Sequence, residues 1–167
     1  MDLYLVRHAV AFSPDPTRWP DDGERPLTPE GEARFRKAAR GIKRIVASID
    51  VVLSSPLPRA WRTAELLEEE AGWPAAKPEP VLEAGRSPAE GIEVMEPHLE
   101  VASLALVGHE PYLSELASIL LTGRPTSLTM DVKKGGVAHL WLEDGLRRGT
   151  ASLRWLVTPK VLRSLSG

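Results

Sequence analysis

The sequence predicts an α/β fold: a three-layer α/β/α sandwich around a mostly parallel central sheet. Three observations carry this reading. Short apolar runs recur at residues 2–8, 50–54 and 103–109. Each is followed by a segment with helical punctuation, and strand–helix alternation implies parallel strands with helices on both faces. The 167 residues are 43% hydrophobic, enough for one sizeable core, and no repeat, low-complexity tract or composition shift divides them. A single domain over 1–167 is therefore expected.

Residues 2–8 are apolar without alternation, as a strand buried on both faces requires. Residues 11–27, rich in Pro and Asp, read as a long loop, and loops of that length in compact domains are often functional. Thr28 then caps a helix with Pro29 at its first position. Phe35, Ala38, Ala39, Ile42, Ile45, Val46 and Ile49 recur at helical spacing and mark its core face. A second helix is predicted over 58–71, stopped by Gly72. Residues 73–80 read as a connection and 80–84 (PVLEA) as a short strand. Ser87-Pro88-Ala89-Glu90 has capping-box spacing and predicts a helix start. Pro111 opens the helix PYLSELASILL, which Gly123 ends. The remainder predicts two strands, about 129–143 and 150–158, around the turn EDGLRRG.

Composition excludes several function classes. Net charge is −2, from 21 basic and 23 acidic residues, so neither a nucleic-acid nor an anionic-membrane partner is expected. No apolar run approaches membrane-spanning length, and Asp2 followed directly by a strand is unlike a signal peptide. The absence of cysteine rules out disulfides, zinc thiolates and cysteine nucleophiles, and fits a cytoplasmic location. Asn and Gln are absent and there are 15 Pro, a composition expected of a heat-adapted source.

Chemistry gathers at the strand ends. In open sheets of this class, ligands bind outside the carboxyl ends of the strands. Arg7-His8 ends the first strand. Ser54-Ser55-Pro56 ends the second, with Arg59 just beyond, and Gly108-His109 ends the third long strand. Arg7-His8 alone reads as a solvated strand end. Arg59 and His109 at equivalent ends shift the weight to a site. Two guanidinium forks match the paired oxygens of a phosphate or a carboxylate. Neighbouring positive charge disfavours imidazolium, and a neutral imidazole is a nucleophile. The four residues thus suit phosphoryl transfer, whose catalysis is mostly positioning and charge stabilisation.

Other features read as structural. His98 falls on a surface helix, and His139 in a late apolar strand is packed or at an edge. Lys133-Lys134 and Arg147-Arg148 fall in turns on a solvated face. Glu68-Glu69-Glu70 is surface charge. The tryptophans suit core or cap positions, with Trp19 in the long loop available to flank a site. No metal or other cofactor is expected. His109-Glu110 lacks a second histidine, since residue 113 is Leu, and two arginines would repel a cation. No Gly-rich nucleotide fingerprint is present.

VRHA at 6–9, SSPLPRAWRTAE at 54–65 and VGHEP at 107–111 resemble the histidine phosphatase, or phosphoglycerate mutase-like, superfamily, and RPLTPEGE at 25–32 matches its L-T-x-x-G stretch. The resemblance covers nearly the whole chain. It implies His8 as the phospho-accepting nucleophile, with Arg7, Arg59 and His109 as the phosphate pocket. It places Glu83 where many members carry the acid that protonates the leaving group. Two departures matter. Residue 9 is Ala where the family usually has Gly, which demands a negative φ there. Only 25 residues separate Glu83 from His109, too few for the cap insertion of mutases and small-molecule phosphatases. This compactness most resembles the SixA-type phosphohistidine phosphatases and implies a shallow site suited to a phosphorylated protein. The expected function is a metal-independent phosphohistidine phosphatase in signal transduction. A small-molecule phosphomonoesterase and a non-catalytic phosphate-binding adaptor are the alternatives.

Overall fold

A computed structural model describes residues 1–143 and 145–167. Six strands form one sheet: β1 (Asp2–Arg7), β2 (Val51–Ser54), β3 (Lys77–Pro78), β4 (Ser103–Gly108), β5 (Val137–Trp141) and β6 (Ser152–Val157), in the order β3-β2-β4-β1-β5-β6. The first four in that order run parallel, and β5 and β6 are antiparallel additions. The helices are α1 (Pro29–Ile45), α2 (Pro58–Ala71), α3 (Glu90–Met95), α4 (Tyr112–Thr122) and α5 (Pro159–Ser164). They lie on both faces of the mostly parallel sheet, and no cap domain is present among the described residues.

Strand periodicity builds the three layers. Side chains alternate between faces, so Tyr4 and Val6 pack with Val52, Ala105 and Val107 under α1 and α2. Leu3 and Leu5 pack with Leu53, Leu104 and Leu106 under α4 and Met95. Helices cover the sheet on both sides of β1, so both its faces are buried. That explains its unbroken apolar run. The Thr28 hydroxyl accepts from Gly31 N–H to cap α1, and Gly72 (φ 76°) and Gly123 (φ 85°) end α2 and α4 in the left-handed region. Arg36, Arg40 and Arg62 pair with Glu32, Glu65, Glu69 and Glu70 across α1 and α2. No helix among the described residues is long and apolar enough to cross a membrane.

Several elements differ from the sequence reading. Residues 80–82 form a 3₁₀ turn, capped by Glu79 accepting from Val81 N–H at 3.2 Å, and the short strand lies earlier, at Lys77–Pro78. Pro80 removes a ladder donor and favours the turn. The capping box at Ser87 does not form: Ser87 enters through its carbonyl, which accepts from Glu90 N–H, and α3 starts at Glu90. Residues 129–136 are not strand. Gly135 has φ 79°, and its N–H turns back to the Arg7 and His8 carbonyls, so pairing begins at Val137. Ile45, expected in the core, is 40% exposed at the last turn of α1. Helix α5 has no counterpart in the sequence reading, although Thr158-Pro159 repeats the start signal of Thr28-Pro29. Asp144, within the predicted turn EDGLRRG, lies outside the described residues.

Candidate active site

The parallel pairing of β1 with β4 places the two histidines together. Arg7 pairs with Gly108 in register, and the His8 N–H donates to the Gly108 carbonyl at 2.9 Å. One residue past each strand, the His8 and His109 rings stand 5.1 Å apart, tilted by 51°. On the other side of β4, Ser55 N–H donates to the Val107 carbonyl at 3.0 Å, and Ser55 Oγ lies 2.9 Å from His109 Nε2. Helix α2 starts just beyond, so Arg59 in its first turn is carried to the same edge. Thr63, one turn on, is fully buried. Its hydroxyl donates to the Arg59 carbonyl at 2.7 Å and accepts from Ala9 N–H at 3.0 Å, tying α2 to the residue after the histidine. Ala9 is accommodated because no non-glycine residue among those described has positive φ.

Hydrogen bonding sets the tautomer of His8. Its Nδ1 lies 2.7 Å from the Ala9 carbonyl, which only accepts, so Nδ1 carries the proton and Nε2 keeps its lone pair. Burial, followed by the charges of Arg59, Arg7 and Lys134, lowers the His8 pKa to about 3, against the opposing pull of the Ala9 bond. The ring is neutral across the physiological range. His109 is held well below the usual histidine range by burial first, then by His8, Arg59, Arg7 and Arg25. Around the two rings, Arg7 Nε, Arg59 Nε and His109 Nδ1 are buried nitrogens with no protein partner. Buried polar groups left unpaired are costly, and the oxygens of a tetrahedral anion would satisfy such a set.

Other nitrogens of these guanidiniums are anchored. Arg7 Nη1 donates to the Val132 carbonyl at 2.9 Å. Arg59 Nη1 donates to the Asp22 and Gly23 carbonyls at 3.0 and 3.3 Å, and Nη2 lies 3.7 Å from the Asp22 carboxylate. Arg25, which the sequence reading left unassigned, grips the same carboxylate with Nε at 2.9 Å and Nη2 at 3.0 Å, while Nη1 donates to the Phe12 carbonyl at 2.6 Å. The signal for Arg25 was its place in RPLTPEGE, next to the long loop. Lys134, taken from sequence as solvated charge, sits close enough to Arg7, Arg25 and Arg59 for their charges, after burial, to depress its pKa. The turn at Gly135 brings it there, and no local pattern announces that.

Glu83 forms no hydrogen bond or ion pair with these residues. It follows the 3₁₀ turn, its side chain is 30% exposed, and its nearest charged partner is Arg86 at 4.0 Å. The adjacent Leu82 carbonyl does pack against Gly108, at the edge of the strand end. Glu110 is a second carboxyl group, directly after His109. Its Oε2 accepts from Ser114 Oγ at 2.6 Å, its Oε1 is buried without a partner, and burial raises its pKa against the pull of Ser114 and Arg7. Trp19 packs on Phe12 (6.0 Å between ring centroids) and under Arg18, ordering the loop rather than touching the four central residues. His139 accepts its structural reading: it stacks on Tyr4 and lies 2.6 Å from Asp2 at the opposite end of β1. Among the described residues, no three His, Cys, Asp or Glu gather as metal ligands.

Comparison with known proteins agrees with this geometry. Residues 3–113 match the profile of the histidine phosphatase superfamily (branch 1). An uncharacterised protein of Picosynechococcus sp. is 34% identical over 161 residues, covering 92% of this chain and 89% of that one. The structure of the protein histidine phosphatase SixA complexed with tungstate superposes with a TM-score of 0.80 at 25% identity, covering 97% of this chain and 99% of the other. A candidate phosphohistidine phosphatase SixA from Agrobacterium tumefaciens gives a TM-score of 0.76 at 21% identity, with 95% and 97% covered. The strand-end cluster, the fold and these matches converge: the chain belongs to the histidine phosphatase superfamily and has a SixA-like fold, which supports a phosphatase.

Proposed function

We propose that residues 1–167 form one metal-independent phosphatase domain, acting in the cytoplasm on a phosphohistidine carried by a protein. One observation carries the mechanism: His8 is buried and neutral, with its proton on Nδ1 and its Nε2 lone pair free among unpaired Arg7, Arg59 and His109 nitrogens. In the first step Nε2 attacks phosphorus, and the bond from phosphorus to the substrate imidazole breaks. The leaving imidazole takes up a proton from solvent, and the attacking water of the second step returns one. Water then attacks phospho-His8, the Nε2–P bond breaks, and inorganic phosphate departs. Arg7, Arg59 and His109 hold the phosphoryl oxygens, where charge redistributes in the transition state. An imidazole leaves protonated with less help than an alkoxide needs, so this reading does not depend on Glu83 as the acid, and Glu83→Gln should hurt ester hydrolysis more than phosphoramidate hydrolysis. His8→Ala should abolish turnover with the fold intact, and Arg59→Ala should lower kcat about 10²–10³-fold. Mass spectrometry should trap phosphorus on His8. Substantial activity in His8→Ala would remove the nucleophile assignment.

A second reading, hydrolysis of a small phosphate ester, draws on Glu110. A half-buried carboxyl group next to His109 with a raised pKa is suited to protonating an alkoxide. Rates on a phosphohistidine peptide and on a simple phosphate ester separate the readings. Under the ester reading, Glu110→Gln should damage ester hydrolysis far more than phosphoramidate hydrolysis.

A further inference from the structure

Helix α1 carries two basic stripes that are treated differently. Toward α2, Arg36 and Arg40 are neutralised by Glu69 and Glu70. Toward α5, Arg34, Lys37, Lys43 and Arg44 are exposed and form no ion pair among the described residues. Arg163 on α5 and Lys134 beside the candidate active site are likewise without an ion pair.

These six cations line three adjoining surface depressions that share lining residues and together make one basic groove face along α1. It begins at Ala9, Lys134 and Gly135, next to His8, and is walled by Arg34 and Arg163. The same two arginines open the next stretch, with Lys37 and Arg40, which reaches Ser166. Arg40 and Ser166 continue into the last stretch, with Lys43, Arg44 and Glu70, whose carboxylate is already held by Arg40 and Arg36. At 1.5 Å per helical residue, Arg34 to Arg44 spans about 15 Å. The groove exists because α5 packs so tightly on α1: a Cβ on Gly41 would stand 1.9 Å from the Leu162 carbonyl.

We propose that this groove docks an acidic segment of the phosphorylated protein substrate, about three helical turns long, and guides its phosphohistidine to His8. The inference rests on the phosphohistidine-protein reading above. Charge complementarity selects the occupant. Removing the six groove cations leaves 15 basic against 23 acidic side chains elsewhere in a chain of net charge −2. A nucleic acid or an anionic bilayer extends beyond any 15 Å groove and meets that acidic remainder, whereas a folded protein can confine its carboxylates to the contact. Six unpaired cations beside one reaction centre raise the encounter rate of such a partner, in a salt-dependent way.

The test uses the full chain and three synthetic phosphohistidine peptides whose flanks are acidic, glutamine-substituted or basic. The double variant Lys37→Glu/Arg44→Glu lies outside the catalytic cluster, and both side chains are exposed, so the fold is expected to persist. Wild type should process the acidic peptide at least about tenfold more efficiently in kcat/KM than the glutamine peptide, with the advantage disappearing in high salt. The double variant should lose that advantage and favour the basic peptide, while hydrolysing free phosphohistidine at the wild-type rate. Equal kcat/KM for acidic and glutamine peptides in wild type overturns the groove while leaving the phosphatase reading intact. So does tighter binding of duplex DNA or phosphatidylserine vesicles than of the acidic peptide. Hydrolysis of phosphate esters with none of any phosphohistidine substrate overturns the parent reading and the groove with it.

Discussion

Replacing Thr63 by Val tests how the nucleophile is held. Valine keeps the shape of threonine and removes only the hydroxyl, which bridges the Arg59 carbonyl and the Ala9 N–H in a fully buried position. The Arg59 carbonyl keeps its place in the helical ladder of α2, so little is lost there. The Ala9 N–H has no other acceptor and becomes a buried unpaired donor, which costs about 1–3 kcal/mol. For a chain of this size that lowers Tm by roughly 2–12 °C. The functional cost follows from the next bond. The Ala9 carbonyl fixes His8 Nδ1–H, so a slack Ala9 lets the ring shift and change tautomer. A displacement of about 1 Å in a reacting group is worth about 10²-fold in kcat. Thr63→Ser retains the hydroxyl and should recover most of both losses. Urea unfolding and turnover of a phosphohistidine peptide measure the two effects. The reasoning fails if the valine variant matches wild type within about 0.5 kcal/mol and retains its kcat, or if serine is as damaging as valine.

Other expectations follow from the same geometry. The folded chain refuses a proton at His8 until about pH 3, whereas the unfolded chain accepts one near 6.5, so below that value stability should fall as pH falls. The slope approaches about 1.4 kcal/mol per pH unit for this residue, and His8→Ala should reduce the slope between pH 6.5 and 4 by about that amount, leaving the share of His109. An unchanged profile in that variant would contradict the assignment. The Asp22 carboxylate competes with a bound anion for Arg25 and Arg59. Asp22 is itself 55% exposed, which discounts its hold on the buried guanidiniums to about 0.2–1 kcal/mol, so Asp22→Asn should tighten tungstate binding about 1.4- to 5-fold by calorimetry, and weaker binding would refute the competition. Gly41→Ala would press a methyl group into the Leu162 carbonyl and should destabilise the chain by about 1–3 kcal/mol or more. Wild-type stability in that variant would mean that α5 does not dock as described.

Four central residues were legible because local sequence and topology agreed. An apolar strand that stops at Arg7-His8, another that stops at Gly108-His109, and a helix whose first turn holds Arg59 can meet only at the carboxyl edge of a parallel sheet. Helix boundaries were readable where glycine or a Thr-Pro start marks them, as at Thr28-Pro29, Gly72 and Gly123. The reading failed where a proline or glycine turned a strand-like stretch aside, at Pro80 and at Gly135. It also missed α5, whose burial rests on Leu162 against Gly41 of a distant helix.

The sequence by itself determined the order of the elements, the two-faced burial of β1 and the residue types at each strand end, because these depend on periodicity and on chain-local backbone preferences. It took the folded chain to set which nitrogen of His8 carries its proton, to bring Arg25 and Lys134 to the cluster, to half-bury Glu110 beside His109 with one oxygen unpaired, and to turn the unpaired cations of α1 toward α5. Each of these is a relation between groups far apart in the chain, set by distances of a few ångströms that no local pattern encodes.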